Sequence, residues 1–503
     1  MYLIVNLGLK SIRGIIFDEN GNQIFSSSRA IYSKLTENKV EQDVVEWKSK
    51  LKEIMLEIES MDSISKEIKF ITSTTSSSCI FGMDETGNPL TKVMMVSDKR
   101  SAREATEIES FLQKSNSTLS CPASSVIPKA LWYKRNNEKV FDKISYWMGA
   151  GEFINYFFTE EIFTDSLNAS KALFENGNYN NELLNKLDLD SSSLPSVVDI
   201  GTTFSVKPSV IDTYNLNESC KYVLTTYDAI CAVIGSFDGE KNTACDVSGT
   251  VTSVRVLADE GLEDGKGLIL SQKLGQYEKY LIGASNNLGG GIIEWHKQSF
   301  FQEEDKNVYN IMENYAGQVS SGANGIVFLP YLLGERSPIK VPEASGVFFG
   351  INRSSTIKDF TRAVFESTAY VSNHLLQSII QNDIQIDSMA VSGGLARFDL
   401  INQIKADVTN KPIKVIENFE STSVGALILL LVTLDKYSSI QEAASNIVRV
   451  RKIILPSNKN HAVYTEFFQF FTELNQALLG TYKKHHDLKK GINSYLSETI
   501  SNL

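Results

Sequence analysis

Three glycine-centred turns in this chain have residue types that suit the binding of an anion. They are Gly8 to Ser11, Gly249-Thr250 and Gly393-Gly394. A glycine has no Cβ atom, so a ligand can approach its backbone, and exposed N–H groups beside a cation such as Lys10 attract a phosphate. Each turn taken alone is ordinary, because glycine is common at turns. Their order along the chain is more specific, and it favours a nucleotide-dependent phosphotransferase that closes over its substrates.

Asp228 is the candidate general base. Transfer of a phosphoryl group to a sugar hydroxyl requires that the hydroxyl proton be removed, and a carboxylate can accept it. Asp228 immediately precedes a predicted helix of small residues at 229–235 and comes shortly before a second hairpin. The alternative is that Asp228 only caps this helix, which would stabilise it by about 1 kcal/mol. The residues leave both roles open, and the two are compatible.

Size and charge restrict the classes of protein to which the chain can belong. Its 503 residues are too many for one hydrophobic core, which predicts two or more domains. A net charge of −11 argues against a nucleic-acid surface. We expect no membrane span, because the most apolar run, Ala426 to Val432, is far shorter than the roughly 20 residues that cross a bilayer, and this run predicts a buried helix instead. We expect no signal peptide, because the N-terminus lacks a basic region followed by a long apolar stretch and a cleavage site. The five cysteines lack CxxC spacing, which is typical of reduced thiols in a cytoplasmic protein.

Strands alternate with helices along the chain, which predicts an α/β fold with mixed sheets. The first hairpin lies within residues 3–17, and a second hairpin of the same plan occurs at Ala244 to Val256. We interpret this repetition as an internal duplication and divide the chain into domains at 1–242 and 243–503, the second with a helical tail. A strand at Ser388 to Val391 then leads through the double glycine into a helix, an arrangement typical of nucleotide sites.

With these features in place, the chain resembles the FGGY carbohydrate kinases over nearly its whole length. The family's opening Asp-x-Gly-Thr-Thr-Ser corresponds to Asn6-Leu7-Gly8-Leu9-Lys10-Ser11, followed by Arg13. The other matches in the first half are Glu41-Gln42-Asp43 with Trp47, Asp98-Lys99-Arg100, Thr164 to Ser170, and Asp228 at the family's catalytic aspartate. Those in the second half are Gly249-Thr250, Gly289-Gly290-Gly291 with Glu294-Trp295, Pro330 to Pro338, Gly346 to Ile351, Arg362 to Glu366, Gly393-Gly394, Gln403, Ala406-Asp407 and Gly425-Ala426.

The resemblance implies a two-domain actin-like ATPase fold, that is, a duplicated ribonuclease H-like fold with an interdomain cleft. It also implies that ATP and Mg²⁺ take part in the reaction, that Asp228 is the base, and that the protein forms a homodimer. By the same resemblance, the residues that bind ATP are Gly8, Lys10, Ser11, Arg13, Gly249, Thr250, Gly290, Glu294, Gly393 and Gly394. Those that bind Mg²⁺ are Asn6 and Asp228, and those that bind the sugar are Ser76, Ser77, Asp98 and Asp228.

The first turn departs from the family pattern. Asn6 stands where the family has the aspartate that helps to hold Mg²⁺, and a neutral amide oxygen binds a hard cation less well than a carboxylate does. Leu9 offers no hydroxyl where the family has threonine, whereas Lys10 adds a positive charge. Two hypotheses follow, either a kinase with altered metal handling or a sugar- or nucleotide-binding protein with weak or no activity.

The choice of sugar rests on the run Thr74 to Ser78. It lacks the Arg-Glu pair of glycerol kinases and the Gln-Met-His-Gly of typical xylulokinases, and it is similar to some ribulose and xylulose kinase relatives. The alternative is that these serines only satisfy the backbone of a loop. The leading prediction is an ATP-dependent kinase for a pentulose such as D-xylulose or D-ribulose. Another sugar, a polyol or a sugar acid such as gluconate is the alternative substrate.

Overall fold

The computed structural model describes residues 1–114, 120–265, 267–302, 307–417 and 420–501. The strands are β1 (Tyr2–Leu7), β2 (Ser11–Phe17), β3 (Gln23–Ala30), β4 (Lys34–Leu35), β5 (Val40–Gln42), β6 (Phe70–Thr75), β7 (Phe81–Met83), β8 (Val93–Met94), β9 (Tyr146–Met148), β10 (Phe163–Asp165), β11 (Phe174–Glu175), β12 (Asn178–Tyr179), β13 (Ser196–Val198), β14 (Thr203–Ser205), β15 (Lys221–Val223), β16 (Thr243–Ser248), β17 (Thr252–Ala258), β18 (Leu270–Lys273), β19 (Tyr280–Ser285), β20 (Val327–Leu329), β21 (Val347–Phe349), β22 (Ser388–Ser392), β23 (Ile413–Ile416) and β24 (Val450–Ile454).

The α-helices are α1 (Val44–Glu59), α2 (Asp62–Ser65), α3 (Ala102–Lys114), α4 (Val126–Asn136), α5 (Glu138–Phe141), α6 (Ala150–Thr159), α7 (Ser166–Ala169), α8 (Asn181–Lys186), α9 (Pro208–Thr213), α10 (Asp228–Ile234), α11 (Gly290–Phe300), α12 (Val308–Gly317), α13 (Ile357–Ile380), α14 (Asp399–Thr409), α15 (Ser421–Thr433), α16 (Ile440–Ile447) and α17 (Asn458–Ser501). Within the described ranges, no helix combines the length and the apolar character needed to cross a membrane.

The chain divides into two compact units, and each has its own sheet and core. The first unit contains Met1–Gly235, Lys273–Glu278 and Glu420–Ile447. The second unit contains Ser236–Gln272, Lys279–Phe419 and Val448–Leu503. The helices α15 and α16 therefore belong to the first unit, although they follow most of the second unit in the sequence.

The sheets of the two units have the same plan. The strand order is β14-β15-β6-β1-β2-β3 in the first and β18-β19-β17-β16-β22-β23-β24 in the second. In each sheet a hairpin gains a third antiparallel strand on one side, while its first strand pairs in parallel with a later strand on the other. The duplication predicted from the two hairpins is confirmed by this common order.

Hydrophobic patterning explains why β1 lies at the centre of the first sheet. All six of its residues are buried, as expected for a strand that is covered on both faces. The helix α1 packs Trp47, Leu51 and Ile54 into the same core, at the helical spacing that the sequence shows. The side chain of Asp43 caps α1 by accepting a hydrogen bond from the backbone N–H of Val45, at 3.0 Å.

Two helices of the first unit, α10 and α15, approach so closely that their contact requires glycine. A Cβ atom on Gly425 would overlap the carbonyl oxygen of Cys231, and one on Gly235 would overlap that of Ser421. The helix α15 is buried from Ser423 to Leu431, which confirms the buried helix predicted for this apolar run. The resemblance associates Gly425 with adenosine binding, but its packing alone explains the glycine. This contact matters for the site, because α10 begins at Asp228.

We expect Gly425→Ala to destabilise the protein by about 1–3 kcal/mol or more, because the added methyl group overlaps backbone that cannot move aside easily. Gly480→Ala is the matched control, since Gly480 is an exposed position in α17 with nothing within 4 Å of an added Cβ atom. That change should stabilise the helix by about 0.5–1 kcal/mol. Urea unfolding followed by circular dichroism measures both, and equal free energies of unfolding for the two variants would contradict the packing argument.

Candidate active site

The parallel strands β1 and β6 end side by side, and the residues that follow them begin the site of the first unit. Asn6 pairs with Thr74 and Leu7 with Thr75 in this register. The backbone N–H of Ser76 continues the ladder by donating to the carbonyl oxygen of Leu7, at 2.9 Å. The pairing therefore brings the predicted phosphate turn and the predicted sugar loop to the same edge of the sheet.

The turn after β1 is short and closed by one backbone hydrogen bond, from the Gly8 N–H to the Ser11 carbonyl oxygen at 3.0 Å. Asn6 is buried, and its Oδ1 atom would lie 3.8 Å from a Cβ atom placed on Gly8. The amide oxygen of Asn6 therefore lies beside the turn. Lys10 is exposed, so its ammonium group is accessible to an anionic ligand.

Arg13 has a partner that the sequence did not indicate. Its Nη1 donates to Oε1 and Oε2 of Glu420, at 2.8 and 2.6 Å, and its Nε donates to Ser11 Oγ, at 3.1 Å. Both side chains of this ion pair are about one-third exposed, at 36% and 27%. The predicted ATP-binding arginine is thus already paired with a carboxylate, and Ser11 is joined to it.

A pocket in the first unit contains Ser76 and Ser77, but neither Asp98 nor Asp228 belongs to its described lining. Its other described walls are Ser78 to Ile80, Val126, Trp147 to Glu152, Thr164, Asn168, Ala169, Ala172, Tyr179, Leu194 and Pro195. The hydroxyl oxygen of Ser76 is buried and has no hydrogen-bond partner among the described residues. An unpaired buried hydroxyl costs free energy, so it is a natural partner for a polar ligand.

Lys129 binds the backbone of the loop that contains Ser78. This buried lysine on α4 donates to the carbonyl oxygens of Ser78, Met95 and Ser124, at 2.5, 2.9 and 3.1 Å. Burial lowers the pKa of Lys129 to about 8. Nothing in the sequence around Lys129 shows which carbonyls its side chain reaches.

Asp98 is engaged inside the protein. It is buried, and its carboxylate accepts from Nε and Nη2 of Arg100 and from the backbone N–H of Val40, the last at 2.8 Å. Arg100 also pairs with Glu41, at 2.8 Å. This network joins two of the matched motifs, Glu41-Gln42-Asp43 and Asp98-Lys99-Arg100. Contact between Asp98 and a sugar stays a prediction.

Asp228 is the first residue of α10, and the N-cap of that helix is Tyr227, which makes no side-chain cap. The alternative that Asp228 is the N-cap of this helix is therefore wrong, because Asp228 is already its first residue. Its side chain is partly exposed, yet loss of hydration raises the pKa of Asp228 to about 6, opposed by the backbone N–H of Ala229. A carboxylate with this pKa can both accept and release a proton near neutral pH.

The segment before Asp228 is tied to two neighbouring elements. Thr226 Oγ1 donates to Asp165 Oδ1, at 3.0 Å, and Thr225 Oγ1 donates to the carbonyl oxygen of Ser73. Asp165 also accepts from the backbone N–H groups of Leu167 and Asn168, so it caps α7 at the same time. The hydrogen bond between Asp165 and Thr226 joins residues 61 positions apart and therefore depends on the fold.

In the second unit, the tip of the β16–β17 hairpin meets the start of α11. The N–H groups of Gly289 and Gly290 donate to the carbonyl oxygens of Thr250 and Gly249, at 2.7 and 2.8 Å. Cβ atoms on Gly289 and Gly290 would overlap Thr252 and Gly249, respectively. The glycines therefore allow a helix end to pack directly on a turn, and two predicted ATP-binding segments are in contact.

The third glycine element lies at the same place. β22 pairs in parallel with β16, with Ser392 opposite Val247. Gly393 has a φ of 83°, in the region that favours glycine, and a Cβ atom there would collide with the backbone of Ser248. Gly249 and Thr250 are exposed, and nothing lies within 4 Å of a Cβ atom on Gly249. Gly290 and Gly393 thus lie against the accessible turn at Gly249-Thr250.

Glu294 lies one turn into α11 but interacts with its own neighbours. Its carboxylate accepts from the Tyr309 hydroxyl, at 2.6 Å, and pairs with Lys297, at 2.8 Å. The hydrogen bonds from Lys297 and Tyr309 lower the pKa of Glu294. Its predicted contact with the nucleotide stays a prediction.

A buried ion pair supports the turn of the second unit. Lys405 on α14 contacts Asp246 Oδ2 at 2.5 Å and Ser248 Oγ at 3.2 Å, and both charged side chains are almost fully buried. Ser372 on α13 donates to the same carboxylate oxygen at 2.7 Å. Asp246, two residues before the last residue of β16, is therefore anchored to two helices. Nothing in the local sequence indicates this pair, because its two residues are 159 positions apart.

Both halves of the chain match a known protein family. Residues 1–235 match the N-terminal domain and residues 247–434 the C-terminal domain of the FGGY family of carbohydrate kinases. The xylulose kinase of Staphylococcus epidermidis is 26% identical over 483 residues, which is 93% of this chain and 95% of that protein. The gluconokinase of Bacillus subtilis is 24% identical over 513 residues, with 97% and 98% covered.

Solved structures show the same fold. The ligand-bound xylulose kinase from Lactobacillus acidophilus matches with a TM-score of 0.87 at 22% identity, covering 96% of this chain and all of that one. The gluconate kinase from Lactobacillus acidophilus matches with a TM-score of 0.86 at 23% identity, covering 96% and 99%. The predicted two-domain α/β fold of the actin-like ATPase type is confirmed.

We expect Lys405→Met to cost about 3–5 kcal/mol of stability, because it leaves the Asp246 carboxylate buried without its cation. Lys452→Met is the control, since Lys452 forms an exposed pair with Asp399, at 3.2 Å, and its loss should cost no more than about 1 kcal/mol. Adding Asp246→Asn to Lys405→Met should restore part of the loss. Urea unfolding measures all three, and equal costs for the two single lysine variants would refute the argument.

Proposed function

This chain belongs to the FGGY family of carbohydrate kinases, and we propose that it transfers the γ-phosphoryl group of ATP to a hydroxyl group of a pentulose such as D-xylulose or D-ribulose. The predictions of a sugar kinase and of a phosphotransferase acting on an alcohol group are confirmed by the family match. The observation that carries the proposal is Asp228, a partly exposed carboxylate at the start of α10 with a pKa of about 6.

Asp228 acts as the general base in this proposal. Its ionised carboxylate accepts the proton of the sugar hydroxyl as that oxygen forms a bond to the γ-phosphorus atom, and the bond from phosphorus to the β,γ-bridging oxygen breaks. The products are a sugar phosphate and ADP. The proton then leaves Asp228 for water. A pKa near 6 suits this cycle, because the group is mostly ionised at neutral pH and yet accepts a proton readily.

The exposed turn at Gly249-Thr250 is our candidate for the site that binds the phosphate chain of ATP. The N–H groups of Gly289 and Gly290 are used by the turn itself, so Gly290 contributes shape and the hydroxyl and backbone of Thr250 provide the contacts. Gly393 and Gly394 would lie against the adenosine. In the first unit, Lys10 and the Gly8 turn would contact phosphate, whereas Ser11 and Arg13 would orient that turn through Glu420.

Asn6 and Asp228 are the candidate ligands for Mg²⁺. They offer a neutral and an anionic oxygen, the atom type that this cation prefers, and Mg²⁺ usually uses few protein ligands beside phosphate oxygens and water. The residues therefore fit a cation that is bound together with ATP. Mg²⁺ supplies neutralisation of the charge on the transferring phosphoryl group. The amide oxygen of Asn6 can serve as one ligand of the cation, but it adds no negative charge to the site.

The Ser76 pocket has a volume of about 40 Å³ and offers contacts for part of an uncharged sugar. The unpaired Ser76 hydroxyl can exchange a hydrogen bond with a sugar hydroxyl, and Asn168 and Thr164 add further polar groups. The described lining contains Glu152 and neither lysine nor arginine, so a sugar acid such as gluconate would find no cation there. Similarity to xylulose kinases over most of the chain also supports a pentulose.

The proposal also includes the cellular location of the reaction. All five cysteines are buried free thiols, which supports a reducing, cytoplasmic location. A homodimer stays a prediction from the family resemblance.

We expect Asp228→Asn to lower kcat by roughly 10²–10⁴-fold, because the amide cannot accept the hydroxyl proton. Asp212→Asn, an exposed position on α9, is the control and should retain full activity. In the native enzyme kcat/KM should be constant above the pKa of Asp228 and should fall as the pH decreases through about 6. An ADP-release assay with circular dichroism as the folding check measures this, and a fully active Asp228→Asn protein would exclude the base.

We expect the native protein to release ADP fastest with D-xylulose or D-ribulose in a panel that includes gluconate, glycerol and a hexulose. Asn6→Asp should lower the Mg²⁺ concentration needed for half-maximal activity several-fold, because a carboxylate holds this cation better than an amide does. Leu56→Asp, a change at an exposed residue of α1, controls for added charge. If no sugar reacts until Asn6→Asp is introduced, the native protein is a binding protein and the kinase proposal fails.

A further inference from the structure

A second cavity in the first unit lies outside the residues assigned to catalysis or substrate binding. It has a volume of about 550 Å³, which is within the range of sites for small ligands. It lies among α1, β7 with its following turn, α6 and α9. Its described lining shares only Met148 with that of the Ser76 pocket. The two are therefore separate cavities with one common wall residue.

The floor of this cavity is apolar. Phe81 and Met83 come from β7, Phe153 and Phe157 from α6, and Val210 from α9. These side chains also belong to the core of the first unit, so the floor is held rigidly. A ligand with an aliphatic or aromatic body would remove further apolar surface from water there, which is favourable.

Three lysines line the same cavity. Lys48 and Lys52 are one turn apart on α1 and therefore share a face of that helix, while Lys207 immediately precedes α9. None of the three ammonium groups has an ion pair or a hydrogen bond among the residues that the structure describes. By contrast, Lys50 on the neighbouring face of α1 pairs with Glu53, at 3.0 Å.

The charges of these lysines are close enough to affect each other. Burial lowers the pKa of Lys207, Glu160 at the end of α6 opposes this, and Lys48 and Lys52 lower the pKa further. Glu160 is not part of the cavity's described lining. A soluble protein gains little by holding three like charges over an apolar floor, because they repel one another. An anion placed among them would relieve this repulsion.

We propose that this cavity is a binding site for an amphipathic organic anion, with an aliphatic or aromatic body on the phenylalanine floor and a carboxylate or phosphate group among Lys48, Lys52 and Lys207. The apolar floor excludes a bare inorganic anion as the full ligand, and the lysines exclude a neutral lipid. Apart from the shared wall residue Met148, none of the residues that line this cavity lines the proposed sugar pocket, and none has a role in the proposed kinase reaction.

Decanoate is the probe, titrated into the full-length protein by isothermal titration calorimetry. We expect one saturable site per chain, at least tenfold weaker binding of 1-decanol, and no measurable binding of inorganic phosphate to this site. Lys48→Gln combined with Lys207→Gln should weaken decanoate binding at least tenfold. Lys48 is exposed and Lys207 is partly exposed, and neither ammonium group has an ion pair or hydrogen bond to lose among the described residues, so the variant should fold normally.

Lys50→Gln combined with Lys66→Gln is the matched control, because both lysines lie on the same unit in exposed pairs outside the cavity. It removes the same net charge and should bind decanoate like the native protein. Equal binding of decanoate and 1-decanol, or equal loss of binding in the two double variants, would overturn the proposal. Val210→Asp, a change in the floor of the cavity, should weaken decanoate binding tenfold if decanoate binds in this cavity. Unchanged affinity in this variant would count against the cavity as the binding site.

Discussion

Parallel pairing of one hairpin strand with one later strand determines where the candidate site of each unit lies. β1 pairs with β6 and β16 pairs with β22, so each pair of strands ends at a common sheet edge. The residues that follow are the Gly8 turn and Ser76 in one unit, and Gly249 and Gly393 in the other. In open α/β sheets, ligands bind in the crevice beyond the carboxyl ends of the strands.

Close backbone contact is the second requirement. The start of α11 can pack on the Gly249-Thr250 turn only because Gly289 and Gly290 have no side chains. In the first unit, Gly425 lets α15 lie directly against α10, and α10 begins with Asp228. A methyl group at such positions would displace an element of the candidate site rather than only create local strain. The glycines of this chain therefore serve packing as much as ligand contact.

Much of the fold could be predicted from local pattern. The two hairpins, the helix predicted at 229–235 and the strand at Ser388 lie within a few residues of their predicted positions, because alternation and helical spacing are visible in short windows. The partners of charged side chains could not be predicted. Arg13 pairs with Glu420, 407 residues later, and Asp246 pairs with Lys405, 159 residues later. Only the folded chain shows that a predicted ATP-binding arginine is already paired.

The sequence by itself determined the α/β class, the duplication, the family and the identity of Asp228 as the candidate base. Each of these rests on residue type and order, which folding does not change. The tertiary structure decided which polar groups are satisfied and which remain available, such as the Ser76 hydroxyl and the three lysines of the second cavity. It also decided the pKa of Asp228, because hydration and charge at one carboxylate depend on all the atoms around it, most of them distant in the sequence.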